Sequence, residues 1–314
     1  MAIPAAQTTA RTARAARANA PTTKLAQRQE KLAWLMLLPG LLGLLLVAFY
    51  PLLRTFLDSF TDARLASSKA THIIGLRNYT DLLHDHDWYH SILVTVKFTA
   101  ITVVAEFVLG IVIALVINSN FKGRGMMRAA MLVPWAIPTA VSTQMWRWMY
   151  NDVYGVFNDL LVHRLHILKS NVAFVAQPNT SLGAIAVMEV WKTTPFVALL
   201  LLAGLQVIPG DVYEAARIDG ASAIRQFFAI TLPLLRPAIL VTLIFRTLDA
   251  LRVFDAFFVM FGGRADTQTM AIYNQQTLVE FSDLGYGAAI SVGIFLIIGI
   301  FVVAYTTFLK VDKA

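Results

Sequence analysis

The sequence has no cysteine, so disulfides, thiolate metal sites and a cysteine nucleophile are all excluded. Charge is almost as scarce: Asp, Glu, Lys and Arg make up 14% of the 314 residues, against about 25% in ordinary soluble domains. There is no G-x-x-x-x-G-K-[ST] phosphate cradle, no H-E-x-x-H and no G-x-S-x-G. Any energy the protein uses therefore comes from a partner or an ion gradient. Histidine is missing from every long apolar run, which argues against an enzyme working at membrane depth. What is abundant is apolar: 57% of residues are hydrophobic and mean hydropathy is +0.64. The 26 basic residues against 19 acidic ones give +7. In so apolar a chain, this excess suits cytoplasmic edges facing anionic lipid rather than a nucleic-acid face.

Residues 1–31 are rich in Ala, Thr and Arg, with almost nothing apolar to bury, and read as a basic, largely disordered tail. Its arginine-rich, acid-poor character superficially matches a transit peptide. The following 32–53 stretch has one terminal charge-free run long enough to cross a hydrocarbon core, which needs about 20 residues. It is read as an uncleaved first span. Further spans are expected at 91–117, 129–150 (broken by Pro134 and Pro138), 182–208, 237–261 and 286–309, giving an all-α, six-span polytopic bundle. With the N-terminus inside, cytoplasmic segments hold fourteen basic residues and the outer loops seven. Both termini are thus expected in the cytoplasm, together with the loop 209–236.

That loop organises the chain. It carries Asp211, Glu214, Arg217, Asp219 and Arg225 between two apolar segments, so it cannot lie in lipid. Asp211 and Glu214 read as a capping box for a helix over 212–218. Gly220 permits a left-handed stop, and a second helix over 221–230 is expected to end before Pro233. A helix-turn-helix at the mouth of a bundle can be a docking knob or an ordinary connection.

Intramembrane charges should face the bundle interior, a partner or water, because each costs at least ~2.5–3.5 kcal/mol against lipid. The span 237–261 has Arg246, Asp249, Arg252 and Asp255 at intervals of three, so consecutive members can pair. They form either a structural ladder or a set of groups for a polar substrate. In 182–208, Glu189, Lys192 and Thr193 stand near Trp191 and Phe196, a mixture that suits a sugar and also suits helix packing around Pro195. His84, Asp85, His86, Asp87 and His90 could ligate a metal or be a solvated loop. Trp135, Trp146, Trp148 and Tyr150 read as an interfacial belt.

Glu214-Ala215-Ala216, with Gly220 four residues later and then Ile230 and Leu232-Pro233, resembles the EAA loop of binding-protein-dependent ABC importer permeases. Glu189 to Phe196, Phe245 to Ala250, Val133 to Pro138 and Gly75 to Tyr79 are similar to the carbohydrate branch of that family, in particular to the first permease of maltose- and trehalose-type importers. The resemblance covers residues 30–312. It implies that Glu214, Ala215, Ala216, Asp219 and Gly220 form the part that couples to an ATPase. It nominates Glu189, Lys192, Thr193, Phe196, Arg246, Asp249 and Arg252 for the sugar, although charged side chains stand where the maltose permease has amides and small residues. It implies a second homologous permease, two ATPase subunits that bind the ATP and Mg, and an extracytoplasmic sugar-binding protein, with no cofactor on this chain. It places the protein in the plasma (inner) membrane. Other solutes such as glycerol 3-phosphate, or an ion-coupled secondary transporter, are the alternatives; the latter usually shows inverted repeats, and none is evident.

Overall fold

A computed structural model describes residues 24–65, 67 and 70–308. The expected tail at 1–23 and the C-terminal lysines Lys310 and Lys313 lie outside the described residues. The chain forms two compact units, Met1–Thr55 and Phe56–Ala314. Among the described residues the structure is helical, with only two isolated bridges, Thr61 to Ile73 and Arg64 to Asp283.

Helix α1 begins at Lys24 and reaches Asp58, with a π-helical turn at Leu45–Phe49. The part of the tail from Lys24 onward is therefore helical rather than disordered. Its Lys-Leu-Ala-Gln-Arg-Gln-Glu-Lys sequence consists of strong helix formers, and it runs directly into the apolar span.

The remaining α-helices of four or more residues are α2 (Arg77–His84), α3 (His86–Asn118), α4 (Arg124–Ala136), α5 (Thr139–Met149), α6 (Pro178–Leu205), α7 (Gly210–Ile218), α8 (Ala223–Gln226), α9 (Arg236–Leu251), α10 (Asp255–Phe261), α11 (Met270–Gln275) and α12 (Leu284–Phe308). Among the described residues, four helices are long and apolar enough to cross a membrane: Gln27–Asp58, His86–Asn118, Pro178–Leu205 and Leu284–Thr307. The expected span 129–150 is broken, as its prolines suggest, into two helices, α4 and α5, at Ile137 and Pro138. Pro134 lies inside α4, which runs on to Ala136, whereas Pro138, with no backbone donor, stands at the break as the N-cap of α5. The expected span 237–261 is likewise interrupted, by Arg252 to Phe254 between α9 and α10. Together with the segment Ala223–Leu234, it forms a pair bent by 68°.

The long helices α3 and α6 pack along one another and α9 lies against both. Gly110 makes this approach possible, because a Cβ there would sit 2.6 Å from Val197 Cγ1, the small-residue contact that brings membrane helices together. One apolar cluster contains Phe98, Met188 and Phe257, with Trp146 and Tyr150. A second contains Ala114, Val197, Leu201 and Leu235. Along α3 and α6 alike, the residues between these clusters include Glu106 and Glu189.

The belt expectation needs correction. Trp135 and Trp148 are 47% and 68% exposed, but Trp146 and Tyr150 are buried. Tyr150 donates to the Ala184 carbonyl at 3.0 Å, and Trp135 stacks on Phe196 with centroids 5.5 Å apart. Trp146 and Tyr150, whose rings find partners inside the bundle, therefore leave the belt to Trp135 and Trp148. The polar 84–90 stretch also has a structural use. Asp85 caps α3, accepting from the Asp87 and Trp88 amides, and its other oxygen accepts from the Tyr273 and Tyr286 hydroxyls. Burial raises the Asp85 pKa, but these donors outweigh it and hold the carboxyl below the usual range. Among the described residues no three His, Asp or Glu side chains are grouped to hold a metal.

Candidate functional site

The centre of the bundle is a guanidinium held by three carboxylates. Arg246 on α9 is 2% exposed and faces Glu106 on α3, which is fully buried at 0%. Its Nε donates to Glu106 Oε2 at 2.6 Å and its Nη2 to Oε1 at 2.9 Å. This is the bidentate fork that suits Arg rather than Lys. Nη2 also reaches Glu189 on α6 at 3.4 Å, and Nη1 donates to Asp249 one turn along α9 at 2.7 Å. The Thr193 hydroxyl lies 2.5 Å from Glu106 Oε1 and 2.6 Å from the Glu189 carbonyl. Three helices distant in sequence are thus joined at one point, with apolar clusters on either side.

Asp249 marks the edge of this network, since its side chain is 67% exposed. It lines a cleft of about 150 Å³ with Thr139, Glu189, Arg252, Val253 and Asp255. The expected ladder ends there. Arg252 donates to its own helix, at the Leu248 carbonyl (3.2 Å), and among the described residues it pairs with neither Asp249 nor Asp255. The helix stops at Leu251, so the spacing of three no longer stacks the side chains.

Two nominated residues are otherwise engaged. Lys192 Nζ donates to the Ile137 carbonyl at 2.5 Å and approaches that of Trp135 at 3.4 Å. It therefore caps the frayed end of α4, where a cation complements the helix dipole. Phe196 is covered by Trp135. Of the seven nominees, Glu189, Asp249 and Arg252 reach the cleft, Arg246 and Thr193 stand behind it, and Lys192 and Phe196 hold the broken third segment. Glu106 is the principal partner that the nominations omit. The same burial rule applies to it, as the one carboxylate of the expected span 91–117, but only the fold supplies its partner.

The loop 209–236 is organised differently. Helix α7 starts at Gly210 with Pro209 as its N-cap and no side-chain cap, so the expected capping box does not form. Asp211 lies inside the first turn, where its charge still suits the dipole. At the other end, Gly220 has φ +75°. The Ala221 amide donates to the Ala216 carbonyl at 2.9 Å and the Gly220 amide to Arg217 at 3.1 Å, which is a Schellman stop. Ser222 then caps α8 through the Arg225 amide. Pro233 does not end the second arm as expected. A π-helical stretch at Phe227–Thr231 precedes it, and the break falls after Leu234. The Tyr213 hydroxyl meets Thr231 Oγ1 at 3.0 Å and ties the arms together. Glu214, Ala215, Asp219 and Gly220 are exposed, whereas Ala216 is half-buried.

The fold matches that of chains in two solved structures. One is described as a bacterial ABC transporter involved in the import of the acidic polysaccharide alginate, with TM-score 0.78 and 20% identity over 91% of this chain and 98% of that one. The other is the alginate transporter in complex with an alginate pentasaccharide-bound periplasmic protein, with TM-score 0.78 and 19% identity over 92% and 98%. The architecture is thus the one those transporter chains share. At 106–310 the sequence matches the binding-protein-dependent transport system inner membrane component, and the chain belongs to that family. It is a multi-pass inner-membrane transport subunit and not an enzyme. Among curated proteins it is 44% identical to the trehalose/maltose transport system permease MalF of Thermococcus litoralis, over 93% of this chain and 97% of that protein. It is 42% identical to the sulfoquinovosyl glycerol permease SmoG of Agrobacterium fabrum (84% and 85%). It is 39% identical to the trehalose permease SugA of Mycobacterium tuberculosis (85% and 85%).

Proposed function

We propose that this chain is one half of the translocation path of an ATP-driven sugar importer, that its cargo is an uncharged di- or oligosaccharide such as trehalose or maltose, and that the exposed turn 214–220 couples it to an ATPase. The observation that carries the reading is the cleft bordered by Glu189, Asp249 and Arg252 against the buried Arg246 network. It offers acceptors and a donor at a fixed edge, as sugar hydroxyls require. Carboxylates outnumber the one guanidinium on its lining, which favours a neutral sugar over an anionic one. Names borne by the trehalose- and maltose-permease relatives support the same class. On this reading a second permease completes the path, two ATPases bind ATP and Mg below, a sugar-binding protein delivers cargo above, and both termini lie in the cytoplasm. Closure of the ATPases would draw the coupling helices together and rock the bundle between inward- and outward-facing states.

The test is uptake of labelled trehalose and maltose into vesicles holding the reconstituted complex, with ATP compared against imposed proton and sodium gradients. ATP-dependent uptake that needs the binding protein is expected. Uptake driven by a gradient without ATP would overturn the importer reading, and ATP-driven uptake of an anionic glycoside alone would overturn the neutral-sugar one.

A further inference from the structure

Away from the central network is a second, larger cleft of about 290 Å³. It lies where α6 begins, whereas the loop 209–236 follows the end of α6, 28 residues further on. At 1.5 Å per residue the two are separated by roughly 42 Å of helix. The cleft is therefore at the end of the bundle opposite the coupling loop. Met260, Phe261 and Val175 give it an apolar wall.

Its polar lining contains groups that are held in place and groups that are left over. Arg264 is spent: it forks onto Asp266, donates to the Val175 carbonyl at 2.7 Å and lies over the Phe261 ring. Arg147 is not, since it makes one long bond, from Nη1 to the Val259 carbonyl at 3.3 Å. Asn151 uses its Oδ1 to accept from the Val153 and Tyr154 amides, which fixes the side chain and leaves Nδ2 free to donate. Asp152 is anchored through its backbone carbonyl, which accepts from Asn171 at 2.8 Å. Its carboxylate has no hydrogen bond or ion pair among the described residues. Arg147 and Asp152 have opposite charge and line one cleft, yet they do not pair.

We infer that this cleft is a second saccharide subsite, at the entrance to the path, in which a single neutral sugar ring is held between Arg147, Asn151 and the Asp152 carboxylate. A carboxylate accepting from neighbouring hydroxyls, with amide and guanidinium donors opposite, complements a sugar's vicinal diol. The apolar wall meets its C–H face. An anion would find Arg147 attractive but would face Asp152. The assignment rests on the sugar-importer reading and adds a stop before the central cleft.

The absence of cysteine allows a direct test. Ala176 is exposed and lines the cleft. In the whole reconstituted complex, Ala176→Cys is labelled with a small maleimide while trehalose, maltose or glucuronate is titrated in. Trehalose or maltose should slow labelling, and glucuronate should not. Adding Asp152→Ala should raise the sugar concentration for half-protection about tenfold, the effect of one charge-assisted hydrogen bond. Adding Asp249→Asn, in the central cleft, should leave protection as it was. Sugar uptake without any protection at position 176 would overturn the subsite and spare the importer reading. Absence of both uptake and protection would sink the two together. Protection by glucuronate equal to that by trehalose would overturn the neutral-sugar assignment. Unaltered protection with Asp152→Ala, in complex shown by size exclusion to be assembled, would overturn the role of that carboxylate.

Discussion

The two polar regions of this chain obey opposite rules. The central network draws Glu106, Glu189 and Arg246 from three helices into a place with almost no solvent. The loop 209–236 gathers its charges from consecutive residues and leaves them exposed. Buried charges must be mutually satisfied, so each is tied to the stability of the bundle. Exposed charges are solvated whether or not they are paired, so they are available for a partner. The difference teaches where substitution should unmake the protein and where it should only disconnect it.

Arg246→Met gives the sharpest test of that contrast. It leaves Glu106 with no cation in a dry interior, a loss of about 3–5 kcal/mol for a broken buried pair. The yield of assembled complex and its melting temperature should both fall. Combining Arg246→Gln with Glu106→Gln and Glu189→Gln removes the buried charges together and should recover most of the loss. A singly substituted complex that assembles and melts normally would place the network in the same inexpensive class as the loop.

Asp249→Asn should behave otherwise, although Asp249 touches the same guanidinium. Its side chain is two-thirds solvated, and Arg246 keeps its fork on Glu106. Assembly should be intact while uptake weakens, because an amide loses a charge-assisted bond worth roughly 1.5–3 kcal/mol, about ten- to hundredfold in apparent affinity. Uptake against sugar concentration, normalised to assembled complex, measures it. Poor assembly would move Asp249 into the structural set.

This division was only half legible in the sequence. Burial cost alone marked the intramembrane charges as inward-facing, and helical spacing gave the Arg246–Asp249 pair. The ladder then failed at Arg252, because a spacing argument assumes the helix continues and this one stops at Leu251. Glu106 had no visible partner, since contacts between residues 140 apart follow from how α3 and α9 pack. Lys192 read as a ligand because its natural partners, the Trp135 and Ile137 carbonyls, are backbone atoms without a sequence signature. The long apolar spans were legible even where a proline, Pro39 or Pro195, lies inside the helix. Pro134 and Pro138 marked the third span as broken, and the structure places the break at Ile137 and Pro138. Gly220 was the clearest local feature, because its positive φ depends on neighbours only.

Gly220→Val tests the loop's side of the contrast. A β-branched residue at φ +75° carries strain of about 1–3 kcal/mol, and a Cβ there meets no atom within 4 Å. The strain is therefore confined to the turn and should distort α7 without unfolding the bundle. ATP hydrolysis should persist while uptake is lost, with the melting temperature little changed. A variant that assembles and transports normally would remove the coupling role from this turn.

The smallest expected effect comes from Tyr213→Phe, and it examines whether the loop is a unit of its own. The Tyr213 hydroxyl and Thr231 Oγ1 form the 3.0 Å tie between the two arms, and Thr231 retains only a longer contact to the Gln226 carbonyl at 3.4 Å. Losing one neutral hydrogen bond is worth about 0.5–1.5 kcal/mol. If the loop opens independently of the bundle, that loss is felt by local opening alone. Amide hydrogen exchange should then speed up several-fold across α7 and α8, with α3, α6 and α9 unaffected. Uptake per ATP hydrolysed should fall modestly, since a looser knob transmits less of the ATPase's movement. Suppose instead that exchange accelerates equally in α3 and α6, or that the melting temperature drops as it does for Arg246→Met. The loop and the network would then belong to one cooperative unit, and the exposed charges would be as structural as the buried ones.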